Sequence, residues 1–116
     1  MNHLKLIIKN SNLTTKKRNY FFDKSELKII LNLYSKMVSN GFWKDYGLNI
    51  SKKEVSFNVY KRTSENPVIK ICKNFMPNNQ NFKFFISDSR GNILKMSGNL
   101  KILLKKIRWN DLKLVN

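Results

Sequence analysis

F-F-D-K-S-E-L-K-I-I-L-N-L-Y-S-K-M-V-S-N-G-F-W-K-D-Y, residues 21 to 46, is the stretch on which the fold turns. Asp23 stands three residues before Glu26, the spacing of a capping box: the aspartate accepts from an orphan helix N–H and the glutamate reaches back to the cap. Leu27, Ile30, Leu31, Tyr34, Met37 and Val38 then recur at steps of three and four, which gathers them on one helical face. Lys24, Lys28, Asn32, Ser35, Lys36 and Ser39 fall largely opposite. Asn40-Gly41 ends the helix, because glycine takes the left-handed conformation that a helix stop requires.

Phe42, Trp43 and Tyr46 follow at once, around Lys44 and Asp45. They read either as a plug that folds back under the helix, the favoured reading, or as an exposed aromatic cluster that contacts a base or a peptide. Downstream the period changes from helical to two. Gly47 to Ser51, Val55 to Val59, Val68 to Lys73, Phe82 to Ser87 and Asn92 to Ser97 alternate as half-buried strands do, with Phe82, Phe84 and Ile86 expected inward. Asp88-Ser89-Arg90-Gly91 is a turn signal. A short strand is expected at Tyr20 to Phe22 and an edge strand at Leu112 to Val115. After Gly98, Asn99 can cap a second helix whose Leu100, Leu103, Leu104 and Ile107 face inward, with Lys101, Lys105 and Arg108 on another stripe. The expected fold is α+β: an antiparallel sheet of about five strands packed on a long N-terminal helix and a shorter C-terminal one. Residues 1–15 are expected to be a flexible basic arm and residues 16–116 a single domain.

Two signatures carry a likeness to a known family. The first is Phe22-Asp23, Glu26-Leu27, Ile30-Leu31, Leu33-Tyr34, Met37-Val38, Gly41 and Trp43-Lys44-Asp45-Tyr46; the second is the strand from Phe57 running into Arg62, Ser64, Glu65 and Pro67. Together they resemble an uncharacterised family of short alphaproteobacterial proteins known only as a domain of unknown function. The likeness runs from Tyr20 to Val115. It implies a one-domain bacterial protein and supplies no activity, so function has to be read from the residues.

Charge is the strongest functional signal. The 116 residues carry 23 Lys+Arg against 7 Asp+Glu, formally +16, a field that favours polyanions. Asp23 and Glu26 cap the helix, and Asp45, Asp88 and Asp111 fall in turns. No apolar run approaches the roughly 20 residues that span a bilayer. The one cysteine, Cys72, leaves no internal disulfide, in keeping with a cytoplasmic setting. His3 is the only histidine, so no zinc constellation and no Cys–His pair can be drawn, and no glycine-rich phosphate loop occurs. Neither an enzyme nor a cofactor or metal site is expected.

Two functions fit. One is a nucleic-acid-associated module for RNA or single-stranded DNA: with both helices on one sheet face, the other would show Ser56, Asn58, Tyr60, Lys70, Cys72, Lys83 and Phe85, a basic surface with two aromatics, joined by Lys101, Lys105 and Arg108. The alternative is a protein-interaction module for an acidic partner protein, using the Tyr60–Pro67 loop with Arg62 and Glu65, together with Trp43.

Overall fold

The computed structural model describes residues 20–61 and 66–109. In chain order they form helix α1 (Lys24–Ser39), strands β1 (Asp45–Ile50), β2 (Glu54–Tyr60) and β3 (Ile69–Asn74), a short 3-10 helix (Gln80–Phe82), β4 (Phe84–Asp88), β5 (Ile93–Ser97) and helix α2 (Leu100–Lys106). The strands make one antiparallel sheet in the order β1-β2-β3-β4-β5, the meander that short connections favour. The arm read at 1–15 and the edge strand read at 112–115 lie outside the described residues.

The capping box forms as read. Asp23 Oδ1 accepts from the Glu26 N–H at 2.8 Å, and Glu26 Oε1 accepts from the Asp23 N–H at 2.8 Å. At the other end Phe42 N–H donates to Met37 O and Gly41 N–H to Val38 O, both at 2.9 Å, with Gly41 at φ 79°. Those two bonds close a Schellman stop and turn the chain toward β1. Trp43 enters the core there, 6 % exposed, in edge contact with Trp109 at 5.4 Å. Tyr34 of α1 lies 5.8 Å from Phe57, and Tyr46 stacks on Phe57 at 4.7 Å. The aromatics after α1 therefore plug the core.

Residues opposite each other across an antiparallel pair share a face. The register places Leu48, Phe57, Ile71 and Ile86 in one such row, and Val55 and Phe84 flank Lys73 in the next. This face packs on Ile30 and Met37 of α1 and on Leu100, Leu103 and Leu104 of α2 in one continuous core. Gly98 sits at the corner before α2, where a Cβ would come within 2.9 Å of Gln80 O on the 3-10 helix; only glycine allows that approach.

Several readings need correction. Tyr20 to Phe22 is not a strand; Phe21 and Phe22 are buried as the lead-in to the cap. Phe82 does not point inward: it ends the 3-10 helix and is exposed, and the strand begins at Phe84. β1 starts at Asp45, two residues before the expected Gly47, and stops at Ile50. Val38 is exposed in the last turn of α1, while Leu27, Leu31 and Tyr34 are half-buried.

One inward position is charged. Alternation from Ile69 through Ile71 carries Lys73 to the helix-covered face, where it is buried. Its Nζ donates to Glu26 Oε1 at 2.8 Å and to the Phe21 carbonyl at 3.0 Å. The capping glutamate thus also neutralises the buried lysine. No buried side-chain nitrogen or oxygen among the described residues lacks a partner.

Two outcomes follow for stability. Ile30→Ala, at a fully buried site, should lower the unfolding free energy by about 2–5 kcal/mol in denaturant titrations, and Leu31→Ala by less. Lys73→Met leaves the Glu26 carboxylate buried and unpaired, an expected cost of about 3–5 kcal/mol. Adding Glu26→Gln should recover part of that loss in a double-mutant cycle; strict additivity would show that the pair is not coupled.

Candidate nucleic-acid interface

The sheet face turned away from the helices is built by the opposite parity. Glu54, Ser56, Asn58 and Tyr60 of β2 share it with Lys70 and Cys72 of β3, Phe85 and Ser87 of β4 and Met96 of β5. Tyr60, Lys70 and Phe85 stand here as the alternation predicts, all half-buried. They form a diagonal: Lys70 pairs with Asn58 and Ser87, so it lies one step from Tyr60 and one from Phe85. Each diagonal step is about 8 Å and the whole span about 16 Å from strand spacing and rise. The two rings therefore do not form one continuous stacking platform. Tyr60 lies against Gly47, its ring 3.8 Å from where a Cβ would be.

The face is also less basic than expected. Lys83 does not join it: it caps the 3-10 helix, and its Nζ reaches the core-side Phe84 ring, 5.6 Å from the centroid. Glu54 shares the face with Lys70, and Asp45 pairs with Tyr60 at its edge. The small residues between them are shielded. Ser56 donates to Asn58 Oδ1 at 2.8 Å, and Cys72 is 1 % exposed. Burial pushes the Cys72 thiol up to about 12, and the Glu54 charge adds to this; Lys70 and the Ser87 hydroxyl pull weakly the other way.

Lys101 and Lys105 stand on the solvent side of α2, away from its buried leucines. Arg108 is exposed but leaves their stripe, because the helix ends at Lys106 and Ile107 is extended at φ −96°, ψ 133°. These cations project from the helical layer, so they do not complete the surface around Tyr60 and Phe85. Arg62 and Glu65 lie outside the described residues. Trp43, assigned to partner contact, is corrected to a core residue.

Lys24, Lys28 and Lys36, which the sequence does not single out for the site, are exposed along α1. Their helical spacing opposite Ile30 and Met37 was the signal. With Lys101 and Lys105 they give the helical layer an outward positive surface. At the start of α1, exposed Asp23 accepts from the Glu26 N–H and the Ser25 hydroxyl, and Glu26 is buried on Lys73. For Asp23 burial acts to raise the pKa, but those hydrogen bonds and the Lys73 charge outweigh it and hold the carboxyl below its ordinary value. Among the described residues, no group of three or more His, Cys, Asp or Glu could hold a metal ion, and no helix is long and apolar enough to cross a membrane.

The buried thiol gives a direct check of the sheet face. Native protein should leave Cys72 unreactive toward a disulfide reagent at about pH 8, and one thiol should titrate on denaturation. Rapid reaction of the native form would mean that the face opens at Cys72.

No curated protein and no solved structure matches this chain. The profile of one family, described as Protein of unknown function (DUF2794), matches residues 20–104. That span runs from the lead-in to the capping box to the last buried leucine of α2, and takes in α1, the five described strands and most of α2. The chain belongs to this family of unknown function.

Proposed function

We propose that this domain is a non-enzymatic, nucleic-acid-associated module that holds RNA or single-stranded DNA by its phosphates, through the helical layer. The observation that carries this reading is the set of exposed lysines that both helices present. Lys24, Lys28 and Lys36 of α1 and Lys101 and Lys105 of α2 all point to solvent. The adjoining carboxylates are occupied by the capping box and by Lys73. A surface of exposed lysines binds phosphate with little base preference, since contacts to the backbone carry no sequence information. Tyr60 and Phe85 stand apart on the other sheet face, which Glu54 shares, and play a minor part in this reading.

Titration of a labelled single-stranded 20-mer (length chosen to span both helices, at about 1.5 Å of rise per helical residue) at several salt concentrations tests it. Each neutralised phosphate contributes about −0.7 to the log–log salt slope on a single strand. Replacing Lys24, Lys28, Lys101 and Lys105 by Ala, a residue that exposed helix positions accept well, should flatten the slope by close to 3 units if all four touch phosphate. Replacing Tyr60, Lys70 and Phe85 should change it by no more than about 0.7, the share of the single lysine. Absence of binding at low salt, or loss confined to the sheet-face variant, would refute the reading.

A further inference from the structure

We propose that the outer edge of β1 accepts an extended acidic peptide segment as an added strand. This edge is a different surface from the lysines of the helical layer, and pairing with β2 leaves part of its backbone over. Ser51 N–H donates to Glu54 O at 2.9 Å, one position beyond the Ile50–Val55 pair. Hydrogen-bonded and non-hydrogen-bonded pairs alternate along an antiparallel ladder. Asn49, Gly47 and Asp45 therefore turn their backbone groups to β2, and Tyr46, Leu48 and Ile50 turn theirs outward. Tyr46 agrees with this: its N–H is taken by Asp45 Oδ1 at 2.8 Å rather than by β2. Leu48 and Ile50 present two donors and two acceptors, and no described group meets them.

The opposite edge of the sheet is defended. β5 carries exposed Lys95 and a register shift between Ile86 and Ser87 of its neighbour, and Lys106 Nζ donates to the Met96 carbonyl at 3.3 Å. Lysines and bulges on an edge discourage strand addition. β1 has no proline, no lysine and no register shift between Asp45 and Ile50.

The side chains name the occupant. Tyr46, Leu48 and Ile50 end the core-facing layer, and Ile50 is 49 % exposed. An added strand would set alternate apolar side chains beside them, as in strand-addition recognition generally. Lys44 precedes β1, and Lys52 and Lys53 follow it, all exposed. Acidic residues at the ends of the peptide complement those charges. A second copy of the chain fits poorly: antiparallel self-pairing over the whole strand, centred on Leu48, sets Lys44 opposite Lys52 twice. Like charges directly opposed across strands are destabilising, and each copy carries a formal +16.

The test uses the full chain and a labelled peptide of about ten residues, a strand's length, alternating valine and glutamate with aspartates at both ends. Fluorescence anisotropy should show saturable binding. N-methylation of alternate peptide amides, which removes only backbone donors, should weaken it about tenfold or more, and so should Ile50→Glu. Ile50 is half-exposed, so a thermal melt close to that of the parent is expected for that variant. The four-lysine helix variant should still bind the peptide. Equal binding of the N-methylated peptide would mean charge alone and overturn the proposal. So would a dimer that Ile50→Glu dissociates, which would make a second copy the occupant. Displacement of the peptide by the 20-mer with no effect of Ile50→Glu would also overturn it, by assigning the peptide to a polyanion site.

Discussion

A single carboxylate oxygen ties this fold together. Glu26 Oε1 receives the Asp23 N–H that starts α1 and the Lys73 Nζ that rises from β3, the central strand. Removing two charges from water is costly, and their attraction repays it only when the remaining donors are satisfied. Nζ also donates to Phe21 O, and Glu26 Oε1 also accepts from the Asp23 N–H. The pair need not add much net stability, but it permits one solution. α1 has to begin over Lys73, because any other placement leaves a buried ion without its partner. The other strands follow from β3 through the ladder, so the pair sets the position of the helix on the whole sheet.

Much of this was legible from local periodicity. The capping box, the Gly41 stop, the meander and the buried leucines of α2 each depend on residues within one or two turns of each other. What escaped was non-local. Lys73 continues the inward alternation of Ile69 and Ile71, so the sequence held its burial, yet its partner lies 47 positions away and was read only as a cap. Phe82 was read inward because it shares the parity of Phe84 and Ile86. The 3-10 turn, held by Phe82 N–H on Asn79 O at 2.8 Å, interrupts that parity. Arg108 sat three residues after Lys105, a helical step only if the helix continues, and it does not.

The candidate site shows the same division. Alternation placed Tyr60, Lys70 and Phe85 on one face, but strand pairing was needed to show how far apart the rings stand. Net charge likewise reports quantity and not location. The described acids serve mostly as caps and turn ligands: Asp23 and Glu26 at α1, Asp45 on its neighbour's N–H, Asp88 accepting from Arg90 and Asn92 N–H at 2.9 Å. Of these only Glu26 is paired with a cation, Lys73, and the others keep their charge beside the lysines.

The two unlike edges of the sheet have a consequence for assembly. A strand array grows without limit only if every unit offers a donor edge and a receptor edge that fit, as in fibres. Here Lys95, the bulge and Lys106 blunt one end, so addition at β1 is self-terminating. The domain behaves as an end-piece with one socket, protected from polymerising by the same asymmetry that leaves the socket open.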